Sequence, residues 1–274
     1  MHIENKGKLI ELTNERAKKL RSTTKTVETA LNYYEYCQYD LDAMTFSSYC
    51  DFLKEKGVMY TDAIFCRRFL RYILTDQMGV DKKEWPGRNT SETILENISI
   101  KQEAALFVTK DDWDYFSIKM EDVVKPTVQN RGLCKKYIIY AFVWNGIPAS
   151  SFNNVRKEDL HVDGTIVSIF CNEKEYVIDD SCAAKMLNVI LGYDNLQPFP
   201  LRQPKKFSKD HIEELKDRVG KVVEADLNTI YASGIIYRLS KGIEPDCIAK
   251  DNSYLRPYYK ALSDYMYNKG DDKV

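Results

Sequence analysis

Apolar and polar positions alternate along most of this chain with the period of an amphipathic helix, in which one side recurs every three to four residues. Residues 1–22 are mainly polar, with leucines at helical spacing, and form an arm or a short helix. From Ser22 to Ile73 the helical pattern recurs in further segments, interrupted by Asp40–Asp42 and by Gly57. The spacing predicts a compact bundle of about four short helices in the first third of the chain.

Two of these segments begin and end at residues that favour helix termini. Thr45 precedes a pattern that starts at Phe46 and Gly57 follows it, so we expect them to cap the two ends of one helix. Thr61 is expected to cap the next helix. The predicted apolar face of that helix consists of Ile64, Phe65, Phe69, Tyr72 and Ile73. Its predicted opposite face carries the cations Arg67, Arg68 and Arg71.

The helical period is lost over Gly79–Asn97, a stretch rich in proline, glycine and polar residues that is typical of a connection between domains. Regular patterning resumes near Phe107, where Thr109 is an expected N-cap with acids in the first turn after it. We predict an N-terminal helical domain over residues 1–88, a linker over 89–99 and a second domain over 100–274.

The middle of the chain combines a buried-type helix with a sharp break. An almost continuous apolar run ends at Trp144, Asn145-Gly146 interrupts it, and a second short helical pattern starts at Ala149. β-Branched and aromatic residues are then enriched over Ile166–Phe170 and Glu175–Ile178. Further helical patterns cover Ser181–Leu191, Ala225–Ile243 and a tyrosine-rich amphipathic segment over 254–267. We predict a mainly α fold with a small antiparallel β-sheet.

Composition restricts the possible functions without selecting one. The formal net charge is −1, so any nucleic acid would have to meet a local basic patch. The seven cysteines are scattered and form no C-x-x-C or Cys/His pair, which indicates reduced thiols in a cytoplasmic protein. From this pattern we expect no metal site, and we expect no cofactor. No segment has the length and hydropathy of a membrane span.

The segment Trp144–Leu160, W-N-G-I-P-A-S-S-F-N-N-V-R-K-E-D-L, resembles without a gap the first conserved box of the tyrosine recombinases, the phage integrase family. That box consists of a buried helix, a T-G-L-R-x-S-E-L turn and a short helix that ends in R-W-E-D-I. The catalytic arginine of the family falls on Pro148. Proline has no charge and no side-chain donor, so it cannot hold a phosphate.

A second resemblance covers Ala225–Ser233, A-D-L-N-T-I-Y-A-S, which is similar to the family's H-D-L-R-H-T-F-A-S box. The family's histidine falls on Ala225 and its second arginine on Asn228. Its hairpin lysine has one candidate here, Lys174. The N-terminal bundle resembles the family's core-binding domain, and Phe107–Trp113 resembles the L-T-x-E-E start of its catalytic domain.

The resemblance implies a recombinase fold that has lost its chemistry. Strand transfer in the family requires arginines that hold the phosphate through bidentate hydrogen bonds, and neutral residues cannot replace them. Loss of one preorganised donor of this kind costs on the order of 3 kcal/mol of transition-state stabilisation. The tyrosines near the position of the family's nucleophile, none of which has a diagnostic neighbour, are Tyr254, Tyr258, Tyr259 and Tyr265. We therefore predict no enzymatic activity.

The hypothesis that follows is a sequence-specific protein that binds double-stranded DNA, encoded by a phage or prophage, and acts as a repressor or accessory factor. The predicted DNA-binding residues are Arg67, Arg68, Arg71, Lys82, Lys83, Arg88, Arg131, Lys135, Arg156, Lys174, Arg202, Lys205, Lys206, Lys209 and Arg238.

Alternative interpretations stay open at the level of the sequence. One is an active, divergent recombinase whose arginines come from Arg131, Arg156 or Arg238. Another is a helical protein-interaction module without nucleic acid. The cations at 67–71 and 202–221 also fit solvent-exposed surfaces, and Lys174 fits an ordinary turn lysine. The tyrosines of the 254–267 helix fit packing within the chain or self-association.

Overall fold

A computed structural model describes residues 2–20, 22–87, 90–124, 127–192, 216–244 and 255–268. The described chain is mainly helical with a small antiparallel sheet, which confirms this part of the sequence prediction. The chain divides into two compact units. Unit 1 comprises Met1–Ala105 and Tyr254–Ala261, and unit 2 comprises Leu106–Ser253 and Leu262–Val274.

The helices of unit 1 lie mostly in the first third of the chain. They are α1 (His2–Leu20), α2 (Thr24–Tyr36), α3 (Phe46–Lys56), α4 (Tyr60–Arg71), α5 (Ser91–Glu96) and α6 (Ile100–Ala104). A π-helical turn, Tyr72–Gln77, extends α4, and a 3₁₀ turn covers Lys82–Glu84.

The predicted ends of α3 are confirmed. The Thr45 hydroxyl accepts a hydrogen bond from the Ser48 N–H at 3.1 Å, and the Ser48 hydroxyl accepts one from the Thr45 N–H at 3.1 Å. This reciprocal capping box satisfies two backbone donors at the helix start. At the other end Gly57 adopts φ 60°, a left-handed conformation that glycine reaches without steric cost.

The predicted cap of α4 is wrong. The helix starts at Tyr60, and Met59 before it offers no side-chain hydrogen bond, so Thr61 lies inside the helix. The buried carboxylate of Glu103 accepts the hydrogen bond of the Tyr60 N–H instead. A residue distant in sequence thus accepts the hydrogen bond of a helix-start N–H group that a neighbouring side chain usually accepts.

Aromatic rings form the core of unit 1. The ring of Tyr33 meets those of Tyr49, Phe52 and Trp85 at centroid distances of 5.2, 5.6 and 5.9 Å, all edge-on. The Trp85 indole is fully buried and its N–H donates to the Met44 carbonyl at 2.7 Å. Edge-to-face contacts of this kind add specific attraction to the burial of apolar area.

Two arginines of α4 hold the chain that follows Trp85. Arg67 Nη1 donates to the carbonyls of Pro86 and Gly87 at 2.9 and 2.6 Å, and Arg71 Nε donates to that of Trp85 at 2.9 Å. Arg67 is only 9% exposed. The prediction of an exposed face at Arg67 is therefore wrong, because the 85–87 segment covers it.

The predicted apolar face of α4 is also wrong at one position. Phe65 is about half exposed, whereas Ile64 and Phe69 are buried as expected.

The observed boundary of unit 1 differs from the predicted linker over 89–99. Both α5 (Ser91–Glu96) and α6 (Ile100–Ala104) belong to unit 1. Trp85 and Ile94, both fully buried, anchor this part of the chain although its sequence lacks a helical period. A segment without periodicity can therefore still belong to a core.

The described elements of unit 2 combine helices and one sheet. They are α7 (Lys110–Val124), α8 (Arg131–Trp144), β1 (Leu160–Asp163), β2 (Ile166–Cys171), β3 (Lys174–Asp179), α9 (Ser181–Leu191), α10 (Lys216–Glu224) and α11 (Leu227–Ser240). Short 3₁₀ turns cover Val128–Asn130, Ala149–Asn154 and Lys157–Asp159. The helix α12 (Arg256–Ser263) and a π-helical turn, Asp264–Asn268, complete the described chain.

The sheet has the antiparallel order β1-β2-β3. Leu160 pairs with Ile169, and Cys171 pairs with Lys174 across the turn at Asn172-Glu173. Both turn residues have positive φ, 53° and 62°, as a two-residue type I′ hairpin requires. The predicted strands around this tight loop are confirmed.

A buried polar network joins α7, α8 and α9. The Tyr137 hydroxyl forms hydrogen bonds with the Ser117 hydroxyl at 2.5 Å and with the Asp180 carboxylate at 3.1 Å. Asp180 also accepts from the Ala183 N–H at 2.8 Å and caps α9. Burial raises the pKa of Asp180, and the bonds from Ala183 and Tyr137 oppose that rise.

None of the helices in the described ranges is both long and apolar enough to cross a lipid bilayer.

The α12 helix contributes a buried tyrosine to unit 1. The rings of Tyr258 and Tyr60 stack with centroids 4.2 Å apart and an interplanar angle of 11°. The Tyr258 hydroxyl makes no hydrogen bond of regular geometry within the described chain, yet it lies beside Glu103. Burial and the Glu103 carboxylate raise the pKa of Tyr258, and burial raises the pKa of Glu103.

We expect Glu103→Gln to stabilise the protein at neutral pH, because a buried carboxylate is replaced by a neutral amide whose oxygen can still accept from Tyr60. The folded-state pKa of Glu103 lies above its unfolded value. Its contribution to stability is therefore full below the unfolded pKa, about 4.3, and is lost as the pH rises through the folded pKa. Denaturant unfolding between about pH 4 and 8 measures this difference.

The matched control for this experiment is Glu92→Gln, because Glu92 is exposed on α5. We expect that variant to follow the native pH dependence. A stability difference between Glu103→Gln and the native protein that does not grow with pH would contradict the assignment.

Candidate nucleic-acid interface

The two segments that resemble the recombinase boxes meet where α11 crosses the end of α8. A Cβ atom on Gly234 would lie 1.8 Å from the carbonyl oxygen of Trp144, so only glycine fits there. One turn further along α11, Arg238 Nη1 donates to the same oxygen at 2.8 Å. The crossing is therefore fixed by backbone contact and by one charged donor.

A ladder of aromatic rings surrounds this crossing. Trp113 and Trp144 stack with centroids 4.9 Å apart and an interplanar angle of 2°. Tyr237 stacks on Trp144 at 6.1 Å, and Tyr267 meets Tyr237 at 5.7 Å. The Tyr267 hydroxyl accepts from the Lys110 N–H at 3.0 Å, and burial raises the pKa of Tyr267 to about 12. Tyr267 thus has a packing role.

The turn after α8 places Pro148 at the start of a 3₁₀ helix. Gly146 adopts φ 89°, and the Ile147 N–H donates to the Phe142 carbonyl at 3.0 Å. The Pro148 carbonyl then accepts from the Ser151 N–H at 2.9 Å. Pro148 directs the chain into the Ala149–Asn154 turn and brings no donor of its own.

The β2–β3 hairpin touches this 3₁₀ turn. Asn172 Nδ2 donates to the Ser151 hydroxyl at 2.8 Å. Lys174, the predicted remnant of a catalytic lysine, starts β3, and its ammonium lies 5.1 Å from the centre of the Tyr176 ring. The hairpin thus lies against the first-box turn, with Lys174 directly after its tight loop.

The second box begins α11 through an ordinary cap. Asp226 accepts from the Thr229 N–H at 2.7 Å, which satisfies a donor at the helix start. The Ala225 carbonyl accepts from the Tyr140 hydroxyl at 3.5 Å, the limit for a hydrogen bond. Asn228 is exposed. Neither Ala225 nor Asn228 carries a charge that could bind a phosphate.

Several predicted DNA-binding cations have partners within the protein. Arg67 and Arg71 bind the carbonyls of residues 85–87, and Arg238 binds that of Trp144. Lys82 forms an ion pair with Asp76 at 3.3 Å, and Arg156 forms one with Glu158 at 3.4 Å. The carbonyl contacts give Arg67, Arg71 and Arg238 structural roles. The ion pairs of Lys82 and Arg156 are largely exposed to solvent and contribute little to stability.

Arg68 and Lys83 are exposed in unit 1. The predicted residues Arg88, Arg202, Lys205, Lys206 and Lys209 lie outside the described residues.

The start of α8 concentrates positive charge. Arg131 and Lys135 are one helical turn apart, and burial together with Arg131 lowers the pKa of Lys135. Burial also lowers the pKa of the next residue, Lys136, which the sequence-based prediction missed. Its position beside Lys135 was the available signal. We name Arg131, Lys135 and Lys136 the α8 cation cluster.

The six cysteines within the described residues are buried. Burial raises the pKa of the Cys66 and Cys182 thiols to about 12 each. Among the C-terminal tyrosines, Tyr258 is buried, Tyr259 and Tyr265 are half-buried, and Tyr254 lies outside the described residues. Two of the three histidines lie within the described residues: His2 starts α1, and His161 is exposed on β1.

Comparison with models of known protein families, with curated proteins and with solved structures found no match for this chain. Membership of the tyrosine recombinases therefore stays a prediction from the resemblance of the two boxes.

We expect Gly234→Ala to destabilise the protein by about 3 kcal/mol, because the added methyl group forces α11 away from the Trp144 carbonyl. Denaturant unfolding measures the loss. The control is Gly220→Ala on α10, where an added Cβ meets no atom within 4 Å. That change should be neutral or stabilise by about 0.5–1 kcal/mol, because alanine favours helices over glycine. Equal effects of the two changes would contradict a close helix crossing at Gly234.

Proposed function

We propose that this chain is a non-catalytic, sequence-specific DNA-binding protein on a tyrosine-recombinase scaffold, acting as a repressor or accessory factor. In this proposal unit 1 is the counterpart of the core-binding domain and unit 2 that of the catalytic domain. The order of elements in unit 2 supports it: α8, the turn with Pro148, the three-stranded sheet and α11 follow in the sequence that the two boxes imply.

The observation that carries the DNA-binding part is the α8 cation cluster. Like charges one turn apart destabilise a helix, and a cation in the first turn also opposes the helix dipole. Arg131 occupies that first turn, and burial together with Arg131 lowers the pKa of Lys135. Three cations within two turns of α8 form a local basic surface, and phosphate contacts need only such a surface rather than a basic protein.

The absence of catalysis in this proposal follows from the residues at the box positions. Pro148, Ala225 and Asn228 offer no charged donor. No side chain at these positions therefore stabilises the negative charge that develops on a phosphodiester in the transition state. The arginines that could replace them from shifted positions include Arg156 and Arg238, which contact Glu158 and the Trp144 carbonyl. The carbonyl contact favours a structural role for Arg238, whereas the ion pair of Arg156 is largely exposed and restrains that side chain little.

We expect the protein to bind duplex DNA with an affinity that falls by a factor on the order of 10³ between about 50 and 200 mM salt, because phosphate contacts release counterions. Arg131→Ala with Lys135→Ala should weaken binding similarly on all sequences. It should also reduce the salt slope by roughly one unit for each phosphate that the variant no longer binds. Fluorescence anisotropy titrations measure both quantities.

The control is Lys54→Ala with Lys56→Ala, which removes the same charge from exposed lysines that pair with Asp51 and Glu55. It should retain most of the affinity and the slope. Equal losses of affinity in both double variants would reject the α8 cation cluster as the DNA-binding surface. Absence of binding at the lower salt would reject DNA binding and favour the protein-interaction module.

A suicide DNA substrate that traps phosphotyrosyl intermediates should give no covalent adduct, because no arginine pair holds the scissile phosphate. Denaturing gel electrophoresis detects such an adduct. An adduct that disappears on Tyr259→Phe or Tyr265→Phe would overturn the non-catalytic proposal and favour the divergent recombinase.

A further inference from the structure

The outer face of the sheet exposes a group of apolar side chains. Along β2, Val167, Ile169 and Cys171 are buried, whereas Ile166 and Phe170 on the other face are 43% and 51% exposed. On β3, Val177 is 61% exposed and pairs with Ser168, which lies between them on the same face. Ile166, Val177 and Phe170 therefore form one contiguous apolar strip across two strands.

Carboxylates surround this strip. Asp163 of β1 and Asp179 of β3 both pair with Ile166, and Glu175 pairs with Phe170. All three are exposed, and none forms an ion pair within the described part of the chain. His161 faces Ser168 on β1, and the register places no lysine or arginine on this face. We name the apolar strip together with these three carboxylates the sheet patch.

The charges of the sheet patch restrict its ligand. Phosphates are repelled by three neighbouring carboxylates, so this face does not meet DNA. Contiguous exposed apolar surface with a polar rim is typical of a protein-binding site. A complementary partner presents an apolar side chain flanked by cations.

The end of α1 has this chemistry. Leu20 is 50% exposed, Lys18 and Lys19 beside it are exposed, and Arg21 follows in the sequence. Each of the other large exposed apolar residues outside the sheet has an acid within three positions. The pairs are Tyr36 with Glu35, Phe65 with Asp62, Leu106 with Glu103, Ile118 with Glu121 and Ile243 with Glu244. Charge complementarity therefore selects α1.

We propose that the sheet patch binds the C-terminal end of α1 from a second copy of this chain. Leu20 covers the apolar strip, and Lys18 and Lys19 pair with Asp163 and Asp179. Because the two surfaces differ, the contact is heterologous and joins copies head to tail. A contact of this size is smaller than a standard interface, so the association is weak and reversible.

Sedimentation velocity of the full chain without DNA, over a concentration series at about 50 and 300 mM salt, tests the proposal. We expect association that increases with concentration and weakens with salt, since the ion pairs are exposed to solvent. Lys18→Glu with Lys19→Glu should weaken it about tenfold, as should Asp163→Lys with Asp179→Lys. An equimolar mixture of the two charge-reversed proteins should associate again, because each supplies the surface that complements the other.

A matched pair of substitutions separates the sheet patch from general exposed apolar surface. Val177 and Ile118 are both 61% exposed in unit 2. Val177→Lys should abolish association and Ile118→Lys should leave it unchanged, with unchanged unfolding midpoints for both. A monomer at every concentration, association insensitive to Val177→Lys, or failure of the charge-reversed mixture to associate would each overturn the proposal. DNA is absent throughout, so these outcomes are independent of the proposed DNA binding.

Discussion

The packing of unit 2 depends on one point where two helices touch through their backbones. At Gly234, α11 lies so close to the Trp144 carbonyl that a single methyl group would overlap it. This carbonyl belongs to the last turn of α8, whose acceptors have no partner within the helix. Arg238 supplies the missing donor at 2.8 Å. Close approach and hydrogen bond together fix how the two box-like segments cross and hold Trp144 in its stack with Trp113 and Tyr237.

The sequence predicts those parts of the fold that local chemistry determines. Thr45 and Thr109 mark helix starts because their side-chain oxygens accept hydrogen bonds from backbone N–H groups three residues later. Gly57 marks a helix end because it adopts a positive φ. The sequence-based prediction fails where a segment distant in sequence packs against the helix, as at Thr61 and Arg67. Glu103 takes the role of the expected cap, and the 85–87 carbonyls bury an arginine that the helical period places in solvent. The helical period shows which residues share one side of a helix, but it does not show which other segment covers that side.

The candidate site shows the same division. The residues at the box positions, Pro148, Ala225 and Asn228, are evident from the sequence, because identity alone removes their charge. The environment of each cation is not evident. Arg238 carries the charge expected of a ligand contact, but it donates to a backbone carbonyl. Lys136 is not among the predicted residues, although burial lowers its pKa as it lowers that of Lys135. Charge is a property of a residue, but its availability is a property of the fold.

The distribution of indole groups makes the two units optically distinguishable. The chain has three tryptophans, all nearly inaccessible to solvent. Trp85 belongs to unit 1, whereas Trp113 and Trp144 form a nearly parallel pair in unit 2. Emission from Trp85 therefore reports on unit 1, and emission from Trp113 and Trp144 reports on unit 2. With Trp85 replaced by phenylalanine, the remaining tryptophan emission reports unit 2 alone, and its difference from the native emission reports unit 1.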